Sequence, residues 1–139
     1  MPLLTRDDIL NAKDVQYEDV PCPEWAPEGT DPNNAVARCA SLGAKAYQEL
    51  AADQVDAEGN EIAAARASVF ERVCARGIVN EKGDRIFTDA DVVALGKKSH
   101  APIQRCYRVI ARLSGMSKTE QERMEGNSEG GPTEGSNTG

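Results

Sequence analysis

A chain of 139 residues with a formal net charge of -7 and an aromatic share of 4% has room for one core but lacks the large side chains of aromatic-rich sheets. Its acidity opposes phosphate backbones and anionic membrane surfaces, and its basic residues form no clustered stripe, which argues against nucleic-acid and membrane-surface binding. No apolar run approaches the roughly 18 residues that a spanning helix needs.

The opening MPLLTRDDIL has no basic segment followed by a long apolar stretch, so no secretory leader is expected and the cysteines are expected to stay reduced. Within it, Thr5 and Asp8 have the spacing of a capping box, which predicts a brief helix through Ile9 and Leu10. Val15 to Val20 then alternate weakly and predict a strand that ends where Pro21, Pro23, Pro27 and Pro32 impose an irregular loop. Trp25 inside that loop either anchors a partner or plugs one end of the core, and its apolar area favours the plug. Ala35 to Ala40 are expected to return as the second strand of a hairpin.

Leu42, Ala46, Tyr47, Leu50 and Ala51 recur at spacings of three and four, which predicts an amphipathic helix capped by Ser41. Asp56 to Asn60 read as a solvated turn, since they lack the ligand spacing of a calcium loop. A second helix is expected from about Ile62, with Val69, Phe70, Val73 and Cys74 buried and Arg66, Glu71, Arg72 and Arg76 wet. Ile78 and Val79 then face Ile86 and Phe87 across the polar insert Asn80–Asp84 as the limbs of a hairpin. That insert has one glycine and no following lysine and hydroxyl residue, so it is not a phosphate loop.

Thr88, with Asp89 and Asp91 in the first turn, predicts another capped helix, and Lys97 and Lys98 suit its carbonyl end. The two acids have no neighbouring nucleophile and are assigned a structural role. Ser99 and Pro102 open the strongest periodic helix, with Ile103, Cys106, Tyr107, Ile110 and Leu113 as its stripe and Gly115 as its stop. His100, the only histidine, falls at a joint between helices and reads as a loop or capping residue. Ser117 is expected to cap a last polar helix through Met124, after which GNSEGGPTEGSNTG offers nothing to a core and reads as disordered.

Cys22, Cys39, Cys74 and Cys106 are widely spaced, without the paired spacing of a zinc site, and are expected to be buried thiols. No clustered His, Cys and acid set, glycine-rich phosphate loop or activated-serine motif is present. The expectation is a non-enzymatic protein with no catalytic residues, no metal and no cofactor. Its fold is expected to be mainly α (α+β): one small helical domain over 1–125 with a short N-terminal hairpin, and a tail over 126–139.

The phrases LTRDDILNAKDV, PEW, SLGAKAYQEL and VNEKGDRIFTDADVVALGKKS, with the Leu113-Ser114-Gly115 helix end, resemble tail assembly chaperones of long-tailed, siphovirus-type bacteriophages over roughly Leu3 to Met124. The proline-rich CPEWAPEGTDPNNAVARC departs from that family's tighter turn. The resemblance implies binding and solubilising of the tape measure protein in the host cytoplasm, absence from the mature virion, and recruitment of tail tube protein, often through a longer form made by ribosomal frameshift. Self-association through edge strands or an apolar helix face is an accompanying expectation. The expected partner-binding residues are exposed members of Val92, Val93, Leu95, Ile103, Tyr107 and Ile110. The competing reading is a structural virion component such as a head-tail connector or tail completion protein.

Overall fold

A computed structural model describes residues 3–116, 118, 119 and 121. The helix expected from Ser117 through Met124 therefore lies outside the described residues except at Lys118, Thr119 and Gln121, and the 126–139 tail lies outside entirely. The protein is a small α+β domain, mainly helical, with a three-stranded antiparallel sheet in the order β1-β2-β3.

Helix α1 (Arg6–Leu10) begins as the capping box predicts: the Thr5 hydroxyl accepts from the Asp8 amide at 3.1 Å, and the Asp8 carboxylate accepts from the Thr5 amide at 3.0 Å. The bond from the Thr5 amide, then one with the Thr5 hydroxyl, holds the Asp8 carboxyl below its usual range, because each favours the charged form. Strand β1 (Tyr17–Pro21) pairs with β2 (Val36–Ala40) in a register that sets Tyr17 opposite Ala40 and Pro21 opposite Val36. Between them, Pro23–Trp25 and Pro32–Asn34 each form a 3-10 turn opened by proline, where the missing amide costs nothing.

Ser41 does not cap the next helix. Helix α2 (Ala44–Ala52) starts from Gly43 without a side-chain cap, while the Ser41 hydroxyl accepts from the Gln16 amide at 2.9 Å and closes the mouth of the hairpin. The single helix expected from Ile62 is two, α3 (Ala63–Ala67) and α4 (Val69–Gly77). The break falls at Ser68, whose hydroxyl donates to the carbonyls of Ala64 and Ala65 and so offers the backbone an alternative to the helical ladder.

Strand β3 (Ile78–Val79) adds to β2 rather than forming a separate hairpin, and the returning limb makes one bridge, at Arg85. The turn itself is as expected: the Asn80 side chain accepts from the amides of Lys82 and Asp84, and Gly83 takes a positive φ. After Thr88, a 3-10 turn (Asp89–Asp91) passes into a four-residue α5 (Val92–Leu95), shorter than the helix anticipated. Helix α6 (His100–Leu113) ends in a Schellman motif, with Gly115 at φ 78° and the Met116 amide reaching back to Ala111.

The core lies where α6 crosses α4 and rests on β1 and β2. Val73, Cys74, Cys106, Tyr107 and Ile110 are fully buried there, and Phe70 packs its ring against Tyr107 at 4.5 Å. Charged staples surround the apolar center: Arg112 to Glu18 and Arg105 to Glu24 tie α6 to the β1 side, and Arg76 ties α4 to Glu49 and Asp89. Such pairs contribute little stability singly, so their work is chiefly orientation.

Close approach of α4 and α6 depends on Gly77. A β-carbon there would sit 2.5, 2.8 and 2.9 Å from Cδ1, Cγ1 and Cγ2 of Ile110, so no single side-chain rotation clears it. Gly77→Ala is expected to lower the unfolding free energy by about 1–3 kcal/mol. In an Ile110→Ala background the added methyl meets open space and most of that increment disappears. A double-mutant cycle in urea checks this; equal costs in both backgrounds would remove the steric explanation.

Candidate functional site

An open apolar groove of about 450 Å³ lies at the end of the domain where β1 finishes and α6 begins. Its apolar lining comes from Trp25, Phe87, Ala94 and Leu95, and its polar rim from Glu24, Asp91 and Lys98. Each wall follows from local chemistry. The Pro23–Trp25 turn, closed by the Trp25 amide donating to Cys22 at 3.0 Å, holds the indole at the loop's apex. The turn at Asn80–Asp84 brings Phe87 back beside the core. The Asp91 carboxylate accepts from the Thr88 amide at 2.8 Å and sets the direction of α5, which delivers Ala94 and Leu95.

Trp25 takes the plugging role that its apolar area favours. It is half-buried and packs on the core, yet it also stands between this groove and a smaller cavity of about 290 Å³ lined by Cys22, Pro27, Thr30 and Val36. Among the described residues its indole N–H has no hydrogen-bond acceptor although the nitrogen is covered. An unpaired buried donor is costly, so the packing of the indole has to offset it.

The rim is electrostatically ordered. Arg105 donates to both carboxylate oxygens of Glu24, at 3.0 and 3.3 Å, and to the Pro21 carbonyl at 2.7 Å. The Arg105 bond holds the Glu24 carboxyl below its ordinary range, so the rim keeps its negative charge at neutral pH. Below it, Arg85 and Arg76 converge on Asp89, and the Arg85 bond lowers that carboxyl too.

The expected partner-binding residues divide. Val93 is 72% exposed, Val92 is half-buried at the core's edge, and Leu95 is nearly covered yet lines the groove. Ile103, Tyr107 and Ile110 are corrected: all three are buried in the core and present no docking surface. Their stripe faces α4 and the sheet because those elements cover that side of α6. Phe87 and Trp25 replace them, brought together from loops 62 residues apart in sequence, which no periodicity announces.

The four cysteines are free and buried, as expected, but they also converge. The Sγ atoms of Cys22 and Cys106 lie 3.8 Å apart, and the Cys74 thiol donates to the Ile103 carbonyl at 3.4 Å. Burial, then the neighbouring Cys106, pushes the Cys22 thiol up to about 12. The hydrogen bond with Cys39, then burial, raises Cys106, and burial raises Cys74. Thiols held protonated are poor nucleophiles, so this cluster acts as packing. Among the described residues no group of three or more His, Cys, Asp or Glu is disposed to hold a metal ion, and no helix is long and apolar enough to cross a membrane. His100 is exposed at the start of α6, its ring 5.9 Å from that of Phe70. No family model, no curated protein and no solved structure matches the chain.

Proposed function

We propose that this protein is a phage tail assembly chaperone, a passive holdase that covers apolar turns of the tape measure protein in the host cytoplasm until the tail tube forms around it. The observation that carries the reading is the groove: an open apolar slot between Trp25, Phe87 and Leu95, rimmed by Glu24, Asp91 and Lys98. An amphipathic helix fits such a slot by placing apolar side chains at i and i+3 or i+4 inside and charged ones on the rim.

Magnitudes favour transient holding over permanent binding. Two aliphatic anchors buried in the groove contribute about 3–6 kcal/mol, which does little more than offset the roughly 4–15 kcal/mol cost of association. Single sites are then weak, and several copies along one long client supply retention by avidity. Weak individual contacts also permit displacement when tube subunits arrive, a step this reading assigns to a longer form carrying a tube-binding extension.

Ala94 is exposed on the groove wall, so Ala94→Asp places a charge there without touching the core. Co-expression with the tape measure protein is expected to raise that protein's soluble fraction severalfold with the wild-type chain and not with Ala94→Asp, at matched thermal midpoints. No gain with the wild type, or stoichiometric presence of the chain in purified virions, would overturn the chaperone reading in favour of a structural virion component.

A further inference from the structure

Segment 22–26, which carries the Trp25 wall, is held by few bonds. The Trp25 and Ala26 amides turn back to Cys22 and Pro23 within the segment, and the Cys22 amide reaches Ala35, which belongs to the same proline-rich excursion. Pro21 and Pro23 have no amide to give. Cavities of about 450 and 290 Å³ flank the indole, and among the described residues its covered N–H has no acceptor, which narrows the margin that favours the closed position. One side chain fastens it. Arg105 donates to the Pro21 carbonyl at 2.7 Å and to both carboxylate oxygens of Glu24, so α6 grips the chain on either side of Cys22.

Under the segment two thiols meet. Cys22 and Cys106 are 2% and 0% exposed with their sulfurs 3.8 Å apart, and Cys22 borders the smaller cavity. We infer that segment 22–26 is a strap fastened by Arg105, that it opens while the rest of the domain stays folded, and that a Cys22–Cys106 disulfide formed from the open molecule locks it shut. The other two sulfurs are fixed in place: Cys39 lies in β2 with partners on both sides, Glu18 and Ile78, and Cys74 donates to the Ile103 carbonyl where α4 meets α6. Opening the strap uncovers Cys22 and Cys106 first.

Shut, the strap keeps the Cys22 thiol protonated through burial, and a protonated thiol does not attack. Open, it returns Cys22 to the ordinary thiol range and within reach of a small disulfide such as oxidised glutathione. The Cys22 thiolate attacks one glutathione sulfur and expels a glutathione thiolate; the Cys106 thiolate then attacks the Cys22 sulfur and expels the second. Two protein thiols are oxidised, and one glutathione disulfide takes up their two electrons and two protons as two thiols. The sulfurs close from 3.8 Å to about 2 Å, and the strap, not the sheet or α6, supplies the movement. The bond then holds Trp25 against α6.

The test uses the full chain with no client present. Incubation with oxidised glutathione, trapping with iodoacetamide and peptide mapping are expected to show a Cys22–Cys106 crosslink while Cys39 and Cys74 stay reduced. Arg105→Gln, and Glu24→Gln as a second variant that leaves α6 unaltered, are expected to speed crosslinking by about five- to tenfold with the same selectivity. Amide exchange at Trp25 and Ala26 is expected to slow by about tenfold in the crosslinked chain and to recover with dithiothreitol.

No crosslink, or one between Cys39 and Cys106, overturns the inference. So does oxidation of all four wild-type thiols with the urea dependence of global unfolding, a rate unchanged in both variants, or amide exchange that the crosslink leaves unaltered. None of these measurements includes the tape measure protein, so the strap and the chaperone reading fail separately.

Discussion

Alanine at Tyr107 is expected to lower the unfolding free energy by about 3–5 kcal/mol, a large share of the roughly 5–15 kcal/mol typical of a domain. Tyr107 is fully buried in the middle of α6 and is the largest side chain so enclosed. Its ring packs on Phe70 of α4 at 4.5 Å, and its hydroxyl donates to the Gln121 carbonyl at 3.4 Å. Truncation therefore opens a cavity where the two main helices meet, and the close packing around it limits collapse. Tyr107→Phe separates the contributions: it keeps the ring and removes the hydroxyl, for an expected loss of about 0.5–1.5 kcal/mol. Urea unfolding of the three proteins measures both. A loss below about 1 kcal/mol for the alanine variant would mean that the α4–α6 contact does not carry the fold.

Stability is expected to fall steeply above pH 9 because of the buried thiols. Cys22 titrates at about 12 in the folded chain against 9.0 for the free thiol, and Cys74 and Cys106 are raised as well. The folded state thus holds these protons more tightly than the unfolded state. The stabilisation is fully present below pH 9. As pH rises beyond that, the unfolded chain ionises while the folded one does not, and each such thiol costs up to about 1.4 kcal/mol per pH unit. For Cys22 the window closes near 12, where the folded thiol ionises too. Urea midpoints at pH 8, 9 and 10 give the slope, and Cys22→Ala is expected to make it shallower, which isolates the share of this thiol. An unchanged slope in that variant would exclude Cys22 as a source.

The parts of the fold legible in sequence are those governed by neighbours along the chain. Thr5 and Asp8 close their capping box, Gly115 ends α6 with a positive φ, and Asn80 and Gly83 make their turn, because each motif needs only atoms within a few residues. The hairpin of β1 and β2 also follows from alternation and the prolines between them. Ser41 and Ser68 show the limit. The Ser41 hydroxyl is taken by the Gln16 amide, which only the closure of the hairpin brings to it, and Ser68 breaks its helix through carbonyls three and four residues back, a local alternative that apolar periodicity does not register.

By itself, then, the sequence determined one acidic, mainly helical α+β domain, the Thr5 capping box, the Gly115 helix end and the Asn80–Asp84 turn, and four cysteines without metal-site spacing. Tertiary structure alone decided which apolar residues are surface. Ile103, Tyr107 and Ile110 share the helical periodicity of any binding stripe but are covered by α4 and the sheet, while Leu3, Leu4, Ile9 and Leu10 remain bare. It also decided that Trp25 and Phe87 meet as the walls of one groove, and that Cys22 and Cys106 touch. The reason is that hydrophobic burial is non-directional: sequence pattern fixes which face of an element seeks cover, and only the packing of whole elements settles which faces obtain it.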